Sequence, residues 1–530
     1  MRSRIVLQLL LASVVLAMLL GHSEARAKTL RWANEQDVFS LDPYARQETF
    51  LLSFVSNIYE PLVRRGPALE LEPALALRWF ATAPDQWRFE LRRNVRFQDG
   101  TPFTADDVVF SFARARGPGS NLAGVLAHIR EVTKRDDFTV DIATFGPDPI
   151  LPEEITLWDI MSAKWCIESE AEHPGDAVKG EETYAANHAN GTGPFRVETR
   201  RPEAQTVLVP NPNWWDHASH NLDRVVFQPM TGRAAVTALL AGSLDVLVSV
   251  PPSATDRIAR AKGVRLLHGP ELRTIFLGFN YARDELADTN VKGRNPFRDR
   301  RVRQAFYQAI DERLIAAKVM RGFATPTALL VGPGVAGFDP SLNHRLPYDP
   351  AAARSLLAEA GFPNGFALGM DCPNDRYVND EAICGAIVAM LAKIGVKLRL
   401  NAETRGKFFA KLLEPGYEAS FFLMGWTPAN REALDALVNL VATRNKDAHQ
   451  GDANFGGYSN PELDALIRRT TAETDLGKRL DLIRQALALA RDDIAAIPLH
   501  QQDLVWAARD NVELVQPPDG SFPLRYVQVK

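Results

Sequence analysis

Residues 87–116, WRFELRRNVRFQDGTPFTADDVVFSFARAR, decide the reading of this chain. Trp87, Phe89 and Leu91 alternate with polar residues, the period of a strand with one buried face. Val95 and Phe97 continue a short extended run, and Asp99-Gly100 predicts a turn. Thr104 stands where a helix N-cap belongs, with Asp107 three residues on as an acidic variant of the capping box. Val108, Val109 and Phe112 then form the first apolar stripe of the helix. The residues themselves predict strand, turn and capped helix.

Toward the N-terminus, Arg2 and Arg4 precede a mostly apolar, uncharged run from Ile5 to Leu20, and Ala25-Arg26-Ala27 fits the small-x-small cleavage rule. The expectation is a signal peptide over residues 1–27 and an exported, periplasmic chain beginning at Lys28. The run is short for an uncleaved span. No cysteine lies beside the cut, so no lipid anchor is expected. Residues 28–530 are enough for two or three domains with sizeable cores. The formal charge of −4 for the whole sequence includes Arg2, Arg4 and Arg26 against Glu24, so it falls to about −6 from residue 28 onward. That balance argues against nucleic acid, which calls for a basic face. No later segment reads as a membrane span, and no fixed-period repeat is visible. Three cysteines, Cys166, Cys372 and Cys384, are too few for a disulfide scaffold. One bridge, with Cys372 and Cys384 the nearer pair in sequence, and free buried thiols both remain open.

Farther along, RTIFLGFN near residue 272 alternates like a strand. The following DRRVRQAFYQAIDERLI places Val302, Ala305, Phe306, Ala309 and Ile310 on one helical face. YDPAAARSLLAEAGF is a second helix, capped by Asp349, with Pro350 at its first position and Gly361 as its stop. ICGAIVAMLAKIG predicts a helix ending at Gly395, and VKLRL a strand. A helical pattern from Leu476 to Ile494 leads to IPLHQQ. This alternation predicts an α/β fold.

As a string, residues 87–116 closely resemble the signature of the family 5 extracellular solute-binding proteins, the peptide- and nickel-type receptors of ABC importers. LRWANEQDVFSLDPY, NIYEPLVR, GTGPFRV at 191–197, NPNWWD at 211–216 and LLAGSLDVLV at 239–248 resemble the family in the same order. The resemblance runs from Leu30 to about His500. It implies a two-lobed periplasmic binding protein fold of the cluster C type, with an extra subdomain on the first lobe. The implied division is residues 28–72, 190–272 and 505–530 for the first lobe, 73–189 for the inserted subdomain and 273–504 for the second lobe. Ligand would be enclosed by hinge closure.

The resemblance also implies ligand contacts. Peptide-binding members pair the ligand carboxylate with an arginine where Arg376 stands, and a guanidinium fork suits that bidentate contact. Tyr377 is its neighbour. Gly425-Trp426 resembles the glycine–tryptophan of the cleft floor, followed by Thr427. Where peptide-binding members place an aspartate for the ligand's α-ammonium group, this chain has Ala429. An ammonium buried opposite alanine lacks its charge partner, so the familiar amine clamp is expected to be absent, with Asn430 left to accept a hydrogen bond. Tyr44, after Leu41-Asp42-Pro43, Arg405 and Asn454 are further candidate contacts.

GPGVAG at 332–337 satisfies GxGxxG but contains Pro333 and precedes no helix. Asp216, His217 and His220 of DHASH fit no standard metal spacing. There is no GxSxG, HExxH or P-loop. The expectation is therefore a non-enzymatic, monomeric receptor, without cofactor or metal, for a peptide-like or other small organic solute that it delivers to importer permeases. A nickel–chelate receptor is the alternative binding protein. A periplasmic hydrolase is the alternative enzyme, and it would need a nucleophile or metal constellation that the sequence does not display.

Overall fold

The computed structural model describes residues 27–46, 48–175, 181–412, 418–428, 430–448 and 450–530. Residues 1–26 of the leader expected over residues 1–27, and the alanine at 429, lie outside the described residues. Among the described residues, no helix is long and apolar enough to cross a membrane.

The opening stretch folds as its residues predict. Gln86–Leu91 is a strand with Phe89 and Leu91 buried. Gly100 takes the turn at φ +88°. The helix Ala105–Arg116 begins at a complete capping box, in which the Thr104 N–H donates to Asp107 Oδ2 (2.8 Å) and the Asp106 N–H to Thr104 Oγ1 (3.3 Å). The strand is paired within a four-stranded sheet, ordered Ala76–Ala83, Gln86–Leu91, Thr139–Thr144 and Ile129–Asp136. At the end of the helix, Arg114 makes a buried bidentate ion pair with Asp42, at 2.9 and 2.5 Å. The Leu41-Asp42-Pro43 turn and the signature helix are thereby locked together. Breaking such a pair from one side strands a buried charge and costs about 3–5 kcal/mol.

A larger mixed sheet joins two lobes. Its order is Lys397–Glu403, Ala367–Pro373, Phe421–Trp426, Val264–Phe279, Ile497–Arg509, Val246–Leu247, Thr29–Asn34, Arg224–Pro229, Gln205–Pro210 and Phe195–Arg201. The two long central strands run antiparallel from one lobe into the other, with Val264 opposite Arg509 and Leu277 opposite Ile497. Their register breaks between Pro270 and Thr274, where proline has no N–H to offer the ladder. These strands carry the chain across in both directions.

Each side has its own core. Trp32 is surrounded by Phe50, Phe54, Phe227 and Phe522 at 4.7–6.0 Å between ring centroids. The same cluster includes Phe89 and Ile142, so the four-stranded sheet and the first lobe share one continuous core. Across the molecule, Phe279, Phe297, Phe306 and Phe421 centre a second core. A third gathers Phe276, Phe422 and Leu437 against Ile483 of the helix Leu476–Asp492. Full burial of each such side chain stabilises by about 1.5–3 kcal/mol.

The second-lobe helices also follow their punctuation. Asp299 caps Arg300–Ala309 and Asp349 caps Pro350–Glu359. Gly361 takes φ +87°, and the next helix, Asp380–Ala392, is followed by Gly395 at φ +83°. Cys372 and Cys384 form a disulfide with Cα atoms 6.6 Å apart, and Cys166 is a buried free thiol.

Candidate functional site

A cavity of about 490 Å³ lies between the lobes. The first lobe contributes residues around 49–66 and 156–159 and the C-terminal segment around 517–526. The second contributes Arg273, the 376–377 loop and the end of the strand Phe421–Trp426, and Leu272 lines the cavity from the crossing strand Val264–Phe279. On one side the lobes touch. Asn430 Nδ2 donates to Glu154 Oε1 (3.2 Å), Arg431 pairs with Asp519 at 2.5 Å, and the Leu272 N–H donates to the Pro518 carbonyl (3.0 Å).

The second-lobe floor is built by close approach. A β-carbon at Gly425 would lie 2.8 Å from both Tyr377 Cε1 and Ile275 Cδ1, so glycine is required for the tyrosine ring to lie on this strand. The Tyr377 hydroxyl donates to the Gly425 carbonyl (3.3 Å), and the Trp426 indole N–H to Asp435 Oδ1 (2.7 Å), which fixes the indole at the cavity. The loop bearing Arg376 is held at both ends. The Arg376 and Tyr377 N–H groups both donate to Asp380 Oδ2 (3.0 Å each), and the disulfide ties Cys372 to the following helix.

The first-lobe wall is organised around Glu60, where three separated motifs meet. Its carboxylate accepts from Trp214 Nε1 (3.1 Å), Trp215 Nε1 (2.7 Å) and Thr192 Oγ1 (2.9 Å). Gly191 and Gly193 pack directly on the Ile58 backbone, where a β-carbon would meet its carbonyl oxygen at 2.0 and 2.7 Å. Burial raises the Glu60 carboxyl above its ordinary range, and the indole donors, Arg64 and Thr192 oppose that rise. Asp216 of the DHASH segment is taken by Arg64 at 2.7 Å.

Six arginines line the cavity: Arg64, Arg65, Arg273, Arg376, Arg431 and Arg525. Four are neutralised locally. Arg64 pairs with Asp216 and Glu72, Arg65 with Glu153, Arg273 with Glu271 and Arg431 with Asp519. Burial, and then the nearby Arg431, push the Arg65 guanidinium down to about 10. Arg376 and Arg525 have no carboxylate partner among the described residues. Each instead lies over the ring of the tyrosine that follows it, Arg376 over Tyr377 at 5.2 Å and Arg525 over Tyr526 at 4.7 Å. Desolvation in the cleft also lowers the Arg376 guanidinium, with Arg273 and Arg405 adding to the effect and Tyr377 opposing it.

One acid stands apart from these cations. Asp159 is buried, lines the cavity, and its carboxyl has no hydrogen bond or ion pair among the described residues. Burial, with a smaller repulsion from Glu60, pushes it up to about 8.

Of the residues singled out in the sequence, Arg376, Tyr377, Trp426 and Thr427 meet at this cavity. The Thr427 hydroxyl is shut off from solvent with no hydrogen-bond partner among the described residues. Four others stand elsewhere. Asn430 bonds across the seam to Glu154. Tyr44 is a core residue whose hydroxyl donates to the Asp159 carbonyl (2.6 Å), because the Asp42–Arg114 pair draws its turn inward. Arg405 is exposed at the start of the helix Arg405–Leu412, its N–H donating to Asp375 Oδ1 (2.5 Å). Asn454 is buried, and its amide bonds the Ala442 and Tyr458 carbonyls (2.8 Å each), knitting its own loop. Sequence reading passed over Arg525, Arg65 and Asp159. None sits in a periodic or punctuated segment, and their convergence is created by tertiary folding.

The profile described as bacterial extracellular solute-binding proteins, family 5 (middle), matches residues 70–448. The glutathione-binding protein GsiB of Salmonella choleraesuis (strain SC-B67) is 26% identical over 488 residues, covering 89% of each chain. Among solved structures, HbpA2 from Haemophilus parasuis superimposes with a TM-score of 0.80 at 24% identity, covering 95% of this chain and all of its own. DppA from Helicobacter pylori in complex with the peptide STSA gives 0.75 at 22% identity, covering 96% of this chain and 99% of its own. The profile match, the two-lobed fold and the cleft between the lobes agree: the chain belongs to the family 5 bacterial extracellular solute-binding proteins.

Proposed function

We propose that this protein is the periplasmic receptor of an ABC importer for a small, peptide-like solute carrying two anionic groups and one ammonium group. The observation that carries this reading is the charge arrangement at the cavity. Two arginines without carboxylate partners, Arg376 and Arg525, reach it from opposite lobes, and a buried carboxyl without a partner, Asp159, faces the same space. A carboxylate on each guanidinium would bridge the lobes through charge-assisted hydrogen bonds. A contact made only in the closed form biases hinge closure, since a ligand shifts an equilibrium only through its differential affinity for the two states. An ammonium group at Asp159 would favour its ionised form and supply the counter-charge that residue 429 lacks. Trp426 and Tyr377 offer apolar faces between these poles. A cavity of about 490 Å³ lies within the ~300–1,000 Å³ usual for small-molecule sites, which favours a short solute over a long peptide.

Glutathione, named in the curated relatives, has this complement of charges and is the first probe. Calorimetry with glutathione, its diester and its N-acetyl derivative tests the reading. Glutathione is expected to bind, the diester to lose more than tenfold, and the N-acetyl compound to lose less. A diester that binds as tightly as the acid would overturn it.

A further inference from the structure

We propose that His128, Asp148 and Glu154 form a site for a divalent cation of the zinc type, at the seam where the first lobe meets Asn430 of the second. This inference does not depend on the identity of the transported solute. The three donors come from separate stretches: the residue before the strand Ile129–Asp136, the loop after the strand Thr139–Thr144, and the end of the helix Leu151–Glu154. One ligand atom from each lies within 4.8 Å of the others. His128 Nε2 is 3.0 Å from Glu154 Oε2 and 3.5 Å from Asp148 Oδ2. It is closed to solvent and makes no well-aligned hydrogen bond to either. Donors around a tetrahedral zinc with bonds of ~2.0–2.2 Å are separated by about 3.3–3.6 Å. The two distances to His128 lie near that range and the two carboxylate oxygens lie within 4.8 Å of each other, an arrangement open to three ligands facing one centre.

The outer contacts fit the same assignment. Metal-binding histidines and carboxylates are normally oriented by hydrogen bonds through their remaining polar atoms. Here Asp148 Oδ1 accepts from the Ile150 N–H (3.1 Å), and Glu154 Oε1 accepts from Asn430 Nδ2 (3.2 Å). Each carboxylate is held by one oxygen and turns the other toward His128. A neutral imidazole with two carboxylates matches the charge of a divalent ion, and three protein ligands leave a fourth position for water. Because Asn430 belongs to the opposite lobe, a cation that fixes Glu154 also fixes an acceptor for the seam hydrogen bond.

The test uses the untagged mature protein, stripped with chelator and titrated at pH 7.5 with Zn²⁺, with Co²⁺ as the spectroscopic probe. One equivalent of Zn²⁺ is expected to bind, with Co²⁺ giving the visible bands of a low-coordinate site. His128→Ala and Asp148→Asn should each weaken Zn²⁺ by more than tenfold, and Asn430→Ala by only a few-fold. Two variants, each removing a different donor, keep the test decisive if one of them fails to fold, which thermal melting reports. Wild-type protein that binds no stoichiometric Zn²⁺, or folded variants that bind it undiminished, would overturn the assignment. The cluster would then be a proton-sharing ion pair.

Discussion

The two lobes present the same chemical device at the cleft and hold it by different means. In the second lobe Arg376 lies over Tyr377, and in the first Arg525 lies over Tyr526. The Arg376-Tyr377 step is fixed locally, by Asp380 four residues on and by a disulfide spanning twelve residues. The Arg525-Tyr526 step is fixed from far away. Asn57 Nδ2 donates to the Phe522 carbonyl (3.2 Å) and its Oδ1 accepts from the Leu524 N–H (2.8 Å), while Ser53 Oγ accepts from the Phe522 N–H (2.7 Å). Those partners are separated by 465–469 residues in sequence. A locally closed loop can present its cation before the rest of the cleft forms. The tail presents its cation only once the first lobe has folded.

The sharpest way to break this comparison is to open the disulfide. Replacing Cys372 and Cys384 with serine removes a constraint on a short loop, worth about 3 kcal/mol in the chain-entropy model. Chemical denaturation should register that loss. Solute affinity should fall too, because Arg376 would be less well placed. Unchanged stability would mean that Asp380 alone holds the loop.

Next in size is the loss of either cation. Arg376→Ala is expected to cost about 2 kcal/mol of binding, roughly thirtyfold, for an anionic solute. Arg525→Ala should cost somewhat less, roughly tenfold, because its guanidinium already donates to the Arg65 carbonyl (2.8 Å). Calorimetry on both variants decides whether the solute spans the lobes. If Arg525→Ala binds like wild type, only one lobe grips the anion.

The smallest expected effect sharpens the electrostatic side. Asp159 in the folded chain is raised from an ordinary 3.8 to about 8. Below pH ~4 the carboxyl is protonated in both folded and unfolded chains and contributes nothing to pH dependence. Between ~4 and ~8 the unfolded chain releases a proton that the folded chain retains, so stability falls as pH rises and levels off above that window. Asp159→Asn cannot ionise. Its melting temperature should match wild type near pH 4 and exceed it by about 2 °C at pH 8 in the absence of solute. A constant offset across that range would show that Asp159 is not the titrating group.

The legible parts of this molecule are those whose signals are local. Thr104 and Asp107 cap their helix because both halves of the bond lie within four residues. Asp349, Pro350 and Gly361 bound another helix for the same reason. Arg376 and Trp426 could be placed at the cleft through family resemblance, although nothing in their spacing marks them. Tyr44, expected at the cleft, packs in the core instead, because proximity to the Leu41-Asp42-Pro43 turn says nothing about direction. The buried Asp42–Arg114 pair, 72 residues apart, decides that. Asn454 has the polarity of a ligand contact but spends its hydrogen bonds on its own loop. Asp159 and Arg525 stand out at the cavity because folding gives neither an ion-pair partner among the described residues, and no window of sequence contains that information.

The most direct test of the central claim is native mass spectrometry of the protein purified from its own host, followed by denaturing identification of the solute that travels with it. The account predicts a single small solute with at least two carboxylate or equivalent anionic groups and a primary amine. A neutral or cationic solute bound in the cleft would contradict it.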